Sequence, residues 1–165
     1  MKKLLALFVV VLGFSAVSFG QATEAANASA KIIGAITLKK NVDLVFGSIA
    51  PTGTLGSVTI APDGSRTGSN VTLVSVGTPS AASYHVTGSG SGYTIKLPAD
   101  GAIKITNGTA AEDMAVNAFS CSIVSKVGDI SSGTEDFTVG ATLTVAASQA
   151  SGTYTGTYNV TVNYN

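Results

Sequence analysis

Few residues in this chain have the chemistry that catalysis requires. His85 is the single histidine and Cys121 the single cysteine of the 165 residues, whereas catalysis needs an activated nucleophile or a matched acid and base. No serine stands in the Gly-x-Ser-x-Gly context of a nucleophile elbow. Because His85 alternates with Tyr84 and Val86, it is predicted to face solvent where they face inward. The sequence therefore predicts that the protein is not an enzyme.

The usual ligands of metals and phosphates are also missing from the sequence. A zinc site takes several Cys or His side chains. The acidic pairs Glu112-Asp113 and Glu135-Asp136 would point to opposite faces of a strand, so solvated strand ends are favoured and weak calcium binding is the alternative. The glycine-rich residues 88–92 lack the Lys-Ser or Lys-Thr and the helix that follow a phosphate-binding loop. We therefore predict no catalytic, cofactor-binding or metal-binding residues and no cofactor.

The single cysteine excludes an intramolecular disulfide. In an exported protein, an unpaired cysteine can be a reactive or intermolecular thiol. Here Cys121 lies at a spacing of two from both Phe119 and Ile123, so all three share one face of a strand. This pattern favours a buried, small apolar side chain.

The N-terminus has the organisation of a signal peptide. Lys2 and Lys3 precede an apolar run from residue 4 to 17, and Ser18-Phe19-Gly20 supplies small residues for cleavage. The run is shorter than the roughly 20 apolar residues of a membrane span, so an uncleaved anchor is the weaker alternative. We predict a signal peptide at 1–20 and export to the periplasm, the cell surface or the medium, with no membrane span after cleavage.

Charge excludes one class of partner. Of the nine basic and nine acidic residues, Lys2 and Lys3 leave with the signal peptide, so the mature chain has a small acidic excess. Nucleic-acid binding requires a basic face, and the mature chain has too few basic residues to form one. We therefore predict no nucleic-acid partner.

The remainder of the chain consists of short strand signals separated by turn signals. The predicted order is a disordered lead-in at 21–27 and one domain at 28–165. Asp-Gly and Asn-Gly dipeptides mark tight hairpins. About ten short strands at regular spacing predict an all-β, immunoglobulin-like antiparallel sandwich. The predicted strands include 30–38, 44–46, 55–60, 71–76, 84–86, 93–97, 103–105, 137–145 and 154–164.

The clearest alternation lies near the C-terminus. One face of the predicted strand at 137–145 is apolar and the other carries Thr and Gly, as in an antiparallel strand that is buried on one side. The apolar residues are Phe137, Val139, Ala141, Leu143 and Val145. The last segment repeats the pattern with Tyr154, Tyr158, Val160, Val162 and Tyr164.

Several segments in the same order resemble one bacterial exported family, known as domain of unknown function number four-four-zero-two. The residues concerned are 36–38, 43–47, 56–60, 62–64, 93–98, 140–145, Gln149 and 152–164. The resemblance covers most of residues 28–165. It implies the fold and export, and it implies no activity.

A looser resemblance is to chaperone–usher pilus subunits and to spore-coat-U-like domains. The matching features are the penultimate Tyr164, the alternating Tyr158, Val160 and Val162 before it, and Gly152 upstream. The resemblance implies strand pairing between subunits, in which an edge strand offers its backbone and its apolar face to a partner. The donor segment would carry Ile32, Gly34, Ile36 and Leu38.

The partners implied are the protein itself or related subunits, together with an assembly chaperone. The chain lacks the disulfide pair usual in pilus subunits. In the alternative interpretation, both terminal strands complete the domain's own sandwich.

The sequence thus predicts a secreted, cell-surface-associated structural or adhesive protein, with a pilin-like assembly subunit as the specific form. The alternative is a monomeric extracellular module that binds a ligand such as a carbohydrate. Ligand sites are usually lined by aromatic side chains. Trp is absent and the five Tyr are few, and most of those Tyr fall in the apolar phase of strands, which disfavours the alternative.

Overall fold

The computed structural model describes residues 20–90 and 92–165, in two units that divide at Lys31 and Ile32. Residues 20–31, the described part of the first unit, contain no helix or strand and are exposed throughout. The predicted signal peptide, apart from Gly20, lies outside the described residues. In the part of the chain that is described, no helix is long and apolar enough to cross a membrane.

The second unit, 32–165, is an all-β sandwich of antiparallel sheets, which confirms the predicted fold class. One short 3-10 helix, Ala110–Glu112, precedes the ninth strand. The described residues form the strands β1 (Thr37–Val42), β2 (Ile49–Pro51), β3 (Gly56–Ile60), β4 (Arg66–Ser69), β5 (Val71–Leu73), β6 (Ala82–Thr87), β7 (Gly92–Lys96), β8 (Ile103–Ile105), β9 (Met114–Cys121), β10 (Val127–Asp129), β11 (Thr134–Val145) and β12 (Thr161–Tyr164).

The long strand β11 organises the main sheet. Its first half pairs with β6, and its second half pairs with β3 on the same edge. Strand β9 pairs along the opposite edge, since Val139 is in register with both Ala82 and Cys121. The resulting seven-stranded sheet runs β1-β6-β11-β3-β4, with β9 and then β8 attached to β11.

Gly140 lies where β11 changes partner from β6 to β3. A Cβ atom at this position would lie 2.1 Å from the carbonyl oxygen of Ile60. Only glycine allows two backbones to approach so closely. The pattern at 137–145 placed Gly140 on the polar face, but the structure buries it.

Two smaller sheets complete the sandwich. One has the order β10-β7-β12 and the other pairs β2 with β5. The core between the layers contains the alternate residues of β6, β9 and β11, and it also contains Tyr93 and Ile95 of β7. The apolar face predicted for 137–145 is buried in full, and Cys121 is buried as predicted.

The terminal strands are shorter than the sequence pattern predicted. Strand β1 begins at Thr37 although alternation begins at Ala30, and β12 begins at Thr161 although alternation begins at Tyr154. In both cases the period-two pattern is present, but the backbone lacks a neighbouring strand to pair with. Periodicity reports which face of an extended chain is apolar, whereas a strand also requires a hydrogen-bonded partner.

Candidate functional site

His85 and Cys121, the single histidine and the single cysteine of the sequence, lie in different environments. His85 Nδ1 lies 2.6 Å from Asp136 Oδ1 on the outer face where β6 pairs with β11, and the Asp136 side chain is 71% exposed. Cys121 is buried, and its Sγ donates a hydrogen bond to the carbonyl oxygen of Ile123. Burial raises the pKa of the Cys121 thiol, which disfavours the thiolate that acts as a nucleophile.

Metal coordination has no candidate cluster in the described ranges. Nowhere in residues 20–90 and 92–165 do three or more His, Cys, Asp or Glu side chains converge as ligands. Glu135 instead accepts hydrogen bonds from the Tyr93 hydroxyl and from the backbone N–H of Asp129, both at 2.9 Å. These contacts give this carboxylate a structural role in joining β7, β10 and β11.

An apolar groove with a volume of about 1010 Å³ lies on the inner face of the main sheet. Its floor comes from β8, β9 and β11. The backbone segments 44–51 and 149–156 border it, together with Val76 and Gly77. The floor residues are Ile103, Ile105, Met114, Val116, Leu143 and Val145.

The groove is uncharged. No Lys, Arg, Asp, Glu or His is found among the described residues that line it, and its polar groups are amides, hydroxyls and backbone. A charged ligand would lose its hydration there without gaining a counter-charge. The groove is therefore suited to an apolar occupant that brings its own hydrogen-bonding groups only at the rim.

A polar clamp fixes the border at 149–156. Gln149 Nε2 donates to the carbonyl oxygen of Glu112 at 2.7 Å and to the Tyr154 hydroxyl at 3.0 Å. The Tyr154 hydroxyl in turn donates to the carbonyl oxygen of Ala150 at 2.9 Å. These bonds hold the border segment against the 3-10 helix, so this side of the groove has a defined position without being part of a sheet.

The chain leaves that border as an extended segment without a pairing strand. Thr155 exchanges two backbone hydrogen bonds with Thr106 at 2.9 Å. Over residues 156–159, the backbone makes no hydrogen bond to any described residue. Tyr158 is nevertheless half-buried, while Thr157 and Asn159 are exposed. The segment thus has the side-chain alternation of a strand, and its N–H and C=O groups are free for pairing.

Gly156 is the glycine whose lack of a side chain matters here. A Cβ atom on Gly156 would lie 2.5 Å from the carbonyl oxygen of Lys104 in β8. The sequence pattern indicated Gly152 instead, but a Cβ atom on Gly152 would meet Asn107 at an ordinary contact distance of 3.5 Å. Both glycines precede the same alternating segment, and only three-dimensional proximity to β8 distinguishes them.

Tyr158 has an unusual environment for a polar group. Its ring packs against Phe119, with the ring centroids 5.1 Å apart. Its hydroxyl oxygen is buried and has no hydrogen-bond partner among the described residues. Burial raises the pKa of the Tyr158 phenol, and the nearby Tyr84 raises it further by a smaller amount. Val160, Val162 and Tyr164 also pack against the core.

The N-terminal residues predicted to pair with a partner separate into two groups. Ile36 and Leu38 pack against the domain's own core. Gly34 is held in place because its N–H donates to the Ser89 hydroxyl and its carbonyl oxygen accepts from the Tyr164 hydroxyl at 2.8 Å. Ile32, by contrast, is 96% exposed. Of these four residues, Ile32 is therefore the one that is almost fully exposed.

The groove floor was not recognised from the sequence. Its residues come from three strands that are distant along the chain, and each residue by itself has the pattern of an ordinary core position. The signal that could have indicated it is the combination of an apolar floor with two alternating segments, 30–36 and 154–160, that the sandwich does not use as strands.

Comparison with known proteins gives the family and nothing narrower. No curated protein and no solved structure matches the sequence significantly. One family model matches residues 36–164. That range begins at the first residue that packs against the core from the N-terminal side and includes every strand described above. The chain belongs to the family described as Domain of unknown function (DUF4402).

Proposed function

We propose that this protein is an exported structural subunit of the cell surface that assembles with copies of itself by accepting an extended apolar strand. The observation that carries the proposal is the uncharged apolar groove, which the domain's own strands do not fill. The resemblance of the C-terminal segment to pilus subunits supports it.

An open groove of this kind favours association over a monomeric state. When a partner covers exposed apolar surface in a concave site, removal of that surface from water lowers the free energy and favours association. Strand addition supplies side chains for the groove and backbone groups for a free edge at the same time. Gly156 and Tyr158 line the groove, and the backbone of 156–159 makes no hydrogen bond to a described residue, so a strand added here could use both features.

The alternative of a carbohydrate-binding module receives little support from the Tyr side chains. Tyr84 and Tyr93 are buried in the core. Tyr154, Tyr158 and Tyr164 are half-buried, with the hydroxyls of Tyr154 and Tyr164 already hydrogen-bonded to backbone. A sugar-binding platform uses exposed aromatic faces, and these five residues do not supply a flat one.

The test compares two arginine substitutions at exposed valines. Val76 lines the groove and is 65% exposed, whereas Val124 is 95% exposed and lies outside it. Neither substitution removes a core contact, so both variants are expected to fold. Val76→Arg places a charge at the groove and should block assembly of the mature chain, residues 21–165. Val124→Arg should assemble like the wild type.

Assembly is measured by size-exclusion chromatography with light scattering and by detergent gels of unboiled samples. The expected result is a ladder of multimers for the wild type and for Val124→Arg, with monomer for Val76→Arg. A wild type that stays monomeric contradicts the proposal. So does a Val76→Arg variant that assembles as well as Val124→Arg does.

A further inference from the structure

We propose that the turn at Asn107-Gly108 is a site of self-modification, at which the backbone nitrogen of Gly108 displaces the side-chain amide of Asn107 and converts that residue to aspartate or isoaspartate. The turn follows β8 and lies beside the groove border at 149–156. As a sequence pattern, the dipeptide indicates only a tight turn. The groups around it in the structure are those that the reaction needs, and the chemistry does not depend on assembly between copies.

The nucleophile of the reaction is the backbone nitrogen of Gly108. Its N–H donates a hydrogen bond to the Thr106 hydroxyl at 3.0 Å, so the proton that must leave already has an acceptor. Gly108 has a φ of +95°, and nothing lies within 4 Å of a Cβ atom added to it. The nitrogen is therefore not screened by a side chain. An attack between neighbouring groups of one chain also needs no encounter step.

The electrophile is the side-chain carbonyl carbon Cγ of Asn107. Its oxygen Oδ1 accepts a hydrogen bond from the backbone N–H of Thr109 at 2.9 Å. This bond holds the Asn107 side chain over the turn that contains Gly108. Negative charge develops on Oδ1 when the nitrogen attacks, and a backbone N–H that is already in position stabilises such an oxyanion.

The leaving group is the side-chain nitrogen Nδ2 of Asn107. It donates to the Tyr154 hydroxyl at 3.2 Å, and this hydroxyl donates its own proton to the carbonyl oxygen of Ala150 at 2.9 Å. Once Gly108 has added to Cγ, Nδ2 is a basic amine and accepts a proton from Tyr154. A positioned general acid of this kind makes the departure of an amine easier.

The reaction balances with water as its only co-reactant. The bond from Gly108 N to Asn107 Cγ forms, and the proton of that nitrogen passes by way of the Thr106 hydroxyl to water. The bond from Cγ to Nδ2 breaks, and Nδ2 leaves as ammonia with the proton of Tyr154, which water restores. A second step, in which water opens the five-membered ring at either carbonyl, gives aspartate or isoaspartate.

The product changes the contacts that hold the groove border. A carboxylate at position 107 only accepts hydrogen bonds, so the Tyr154 hydroxyl turns its proton away from Ala150 and towards the new charge. Thr106 exchanges two backbone hydrogen bonds with Thr155 at 2.9 Å. The additional backbone carbon of an isoaspartate would lie directly after this bridge. Modification should therefore loosen the border at 149–156.

Mass spectrometry of the mature chain, residues 21–165, tests the reaction. The folded chain is incubated in mildly alkaline buffer, and peptide mapping follows the replacement of the amide at Asn107 and separates aspartate from isoaspartate. The reference is the same chain unfolded in guanidinium chloride. The folded chain should react about threefold faster or more, a small part of what positioned acid and base groups contribute. A folded rate equal to or below the unfolded rate would contradict the proposal.

Two identical substitutions at neighbouring threonines give the matched control. Thr106→Val removes the hydroxyl that accepts from Gly108, whereas the Thr109 side chain makes no capping hydrogen bond to the 3-10 helix. Thr106→Val should slow the folded rate by about threefold, and Thr109→Val should leave it unchanged. Tyr154→Phe should slow it as well. Neither Thr106→Val nor Tyr154→Phe should alter the rate in the unfolded chain, and a folded rate that neither variant changes would show that these groups take no part.

The consequence for the groove border is measured with two substitutions at position 107. Asn107→Asp is the product, whereas Asn107→Gln keeps an amide whose displacement would need a larger ring. Amide hydrogen exchange at 149–156 should be faster in Asn107→Asp than in Asn107→Gln, with β11 unchanged in both. Equal exchange at the border in the two variants would contradict the effect on the groove.

Discussion

Two regions of the same sheet face differ in how completely the chain covers them. Around Phe137 and Val139 of β11, side chains from both layers leave 2% and 0% of the residue surface exposed. Around Ile103 and Ile105 of β8, the residues are only half-buried and face an open groove. The first region is a closed core, whereas in the second region Ile103 and Ile105 stay half-buried beside residues that are themselves buried. Stability is therefore expected to depend on the first region and association on the second.

Truncation of Phe137 should have the largest effect on folding. Its ring stacks on Tyr84 with the centroids 5.3 Å apart, in a fully enclosed site. Phe137→Ala should lower the free energy of unfolding by about 3–5 kcal/mol, as buried aromatic truncations do. Ile105→Ala, at the groove floor, should cost less than about 2 kcal/mol because its site is already open on one side. Urea unfolding midpoints measure both, and equal losses would remove the distinction between the regions.

The substitution Gly140→Ala tests the closed region by adding a methyl group, whereas Phe137→Ala removes a side chain. The new Cβ would lie 2.1 Å from the carbonyl oxygen of Ile60, so Gly140→Ala should separate β11 from β3 and lower the free energy of unfolding by about 1–3 kcal/mol or more. Gly53→Ala is the control, since nothing lies within 4 Å of its added Cβ. Thermal unfolding of both variants provides the measurement. A Gly140→Ala protein as stable as Gly53→Ala would mean that the two strands separate without cost.

The closed region is also the part of the fold that could be predicted from the sequence. The alternation at 137–145 predicts every buried residue of β11 from Phe137 onward except Gly140, because one face of that strand is apolar and the other is hydroxylated. Strand β8, Ile103–Ile105, was predicted to the residue. Strands β2, β4 and β10 were missed, and of β9 only the alternation at Phe119 and Cys121 was recognised. The predicted strand at 44–46 forms only an isolated bridge between Val45 and Ser80. Strands β2, β4 and β10 are three or four residues long, too short for a period-two pattern to stand out, so they depend on a neighbour for their conformation.

The open region was predictable only in part. Periodicity identified the alternating termini, but it assigned strands where the structure has unpaired chain. Pairing depends on contacts between residues that are far apart in sequence, such as Gly156 with Lys104 and Gly34 with Tyr164. Single-sequence patterns contain no information on such distances. The groove is the result of these long-range contacts, which explains why no local motif indicated it.

Removal of the clamp should loosen the border of the groove with a smaller loss of stability. Gln149→Ala deletes the amide that bonds Glu112 and Tyr154. The expected loss is about 1–2 kcal/mol, with faster amide hydrogen exchange confined to residues 146–156. Exchange measured by mass spectrometry checks this localisation. Equal acceleration in β11 peptides would show that the clamp supports the whole sandwich and not only the groove border.

Two tyrosines, one in the closed region and one beside the groove, should respond differently to loss of their hydroxyl. The Tyr93 hydroxyl donates to Glu135 at 2.9 Å, so Tyr93→Phe should cost about 1–2 kcal/mol at pH 7. The Tyr158 hydroxyl has no hydrogen-bond partner in the described part of the chain. Tyr158→Phe should therefore be neutral within about 0.5 kcal/mol, or slightly stabilising, since it removes a buried polar group.

The same pair should show how stability depends on alkaline pH. Burial raises the pKa of both phenols above the ordinary value of 10.0, and for Tyr93 the bond to Glu135 adds to the effect. The folded state then keeps a proton that the unfolded state loses, so the free energy of unfolding is unaffected below about pH 10 and falls as the pH rises further. Each Phe variant should lose less stability than the wild type between about pH 9 and 11, a range that brackets the ordinary pKa of a phenol. Chemical denaturation across this range measures the slopes, and a Tyr158→Phe slope equal to that of the wild type would show that the phenol beside the groove is accessible to water.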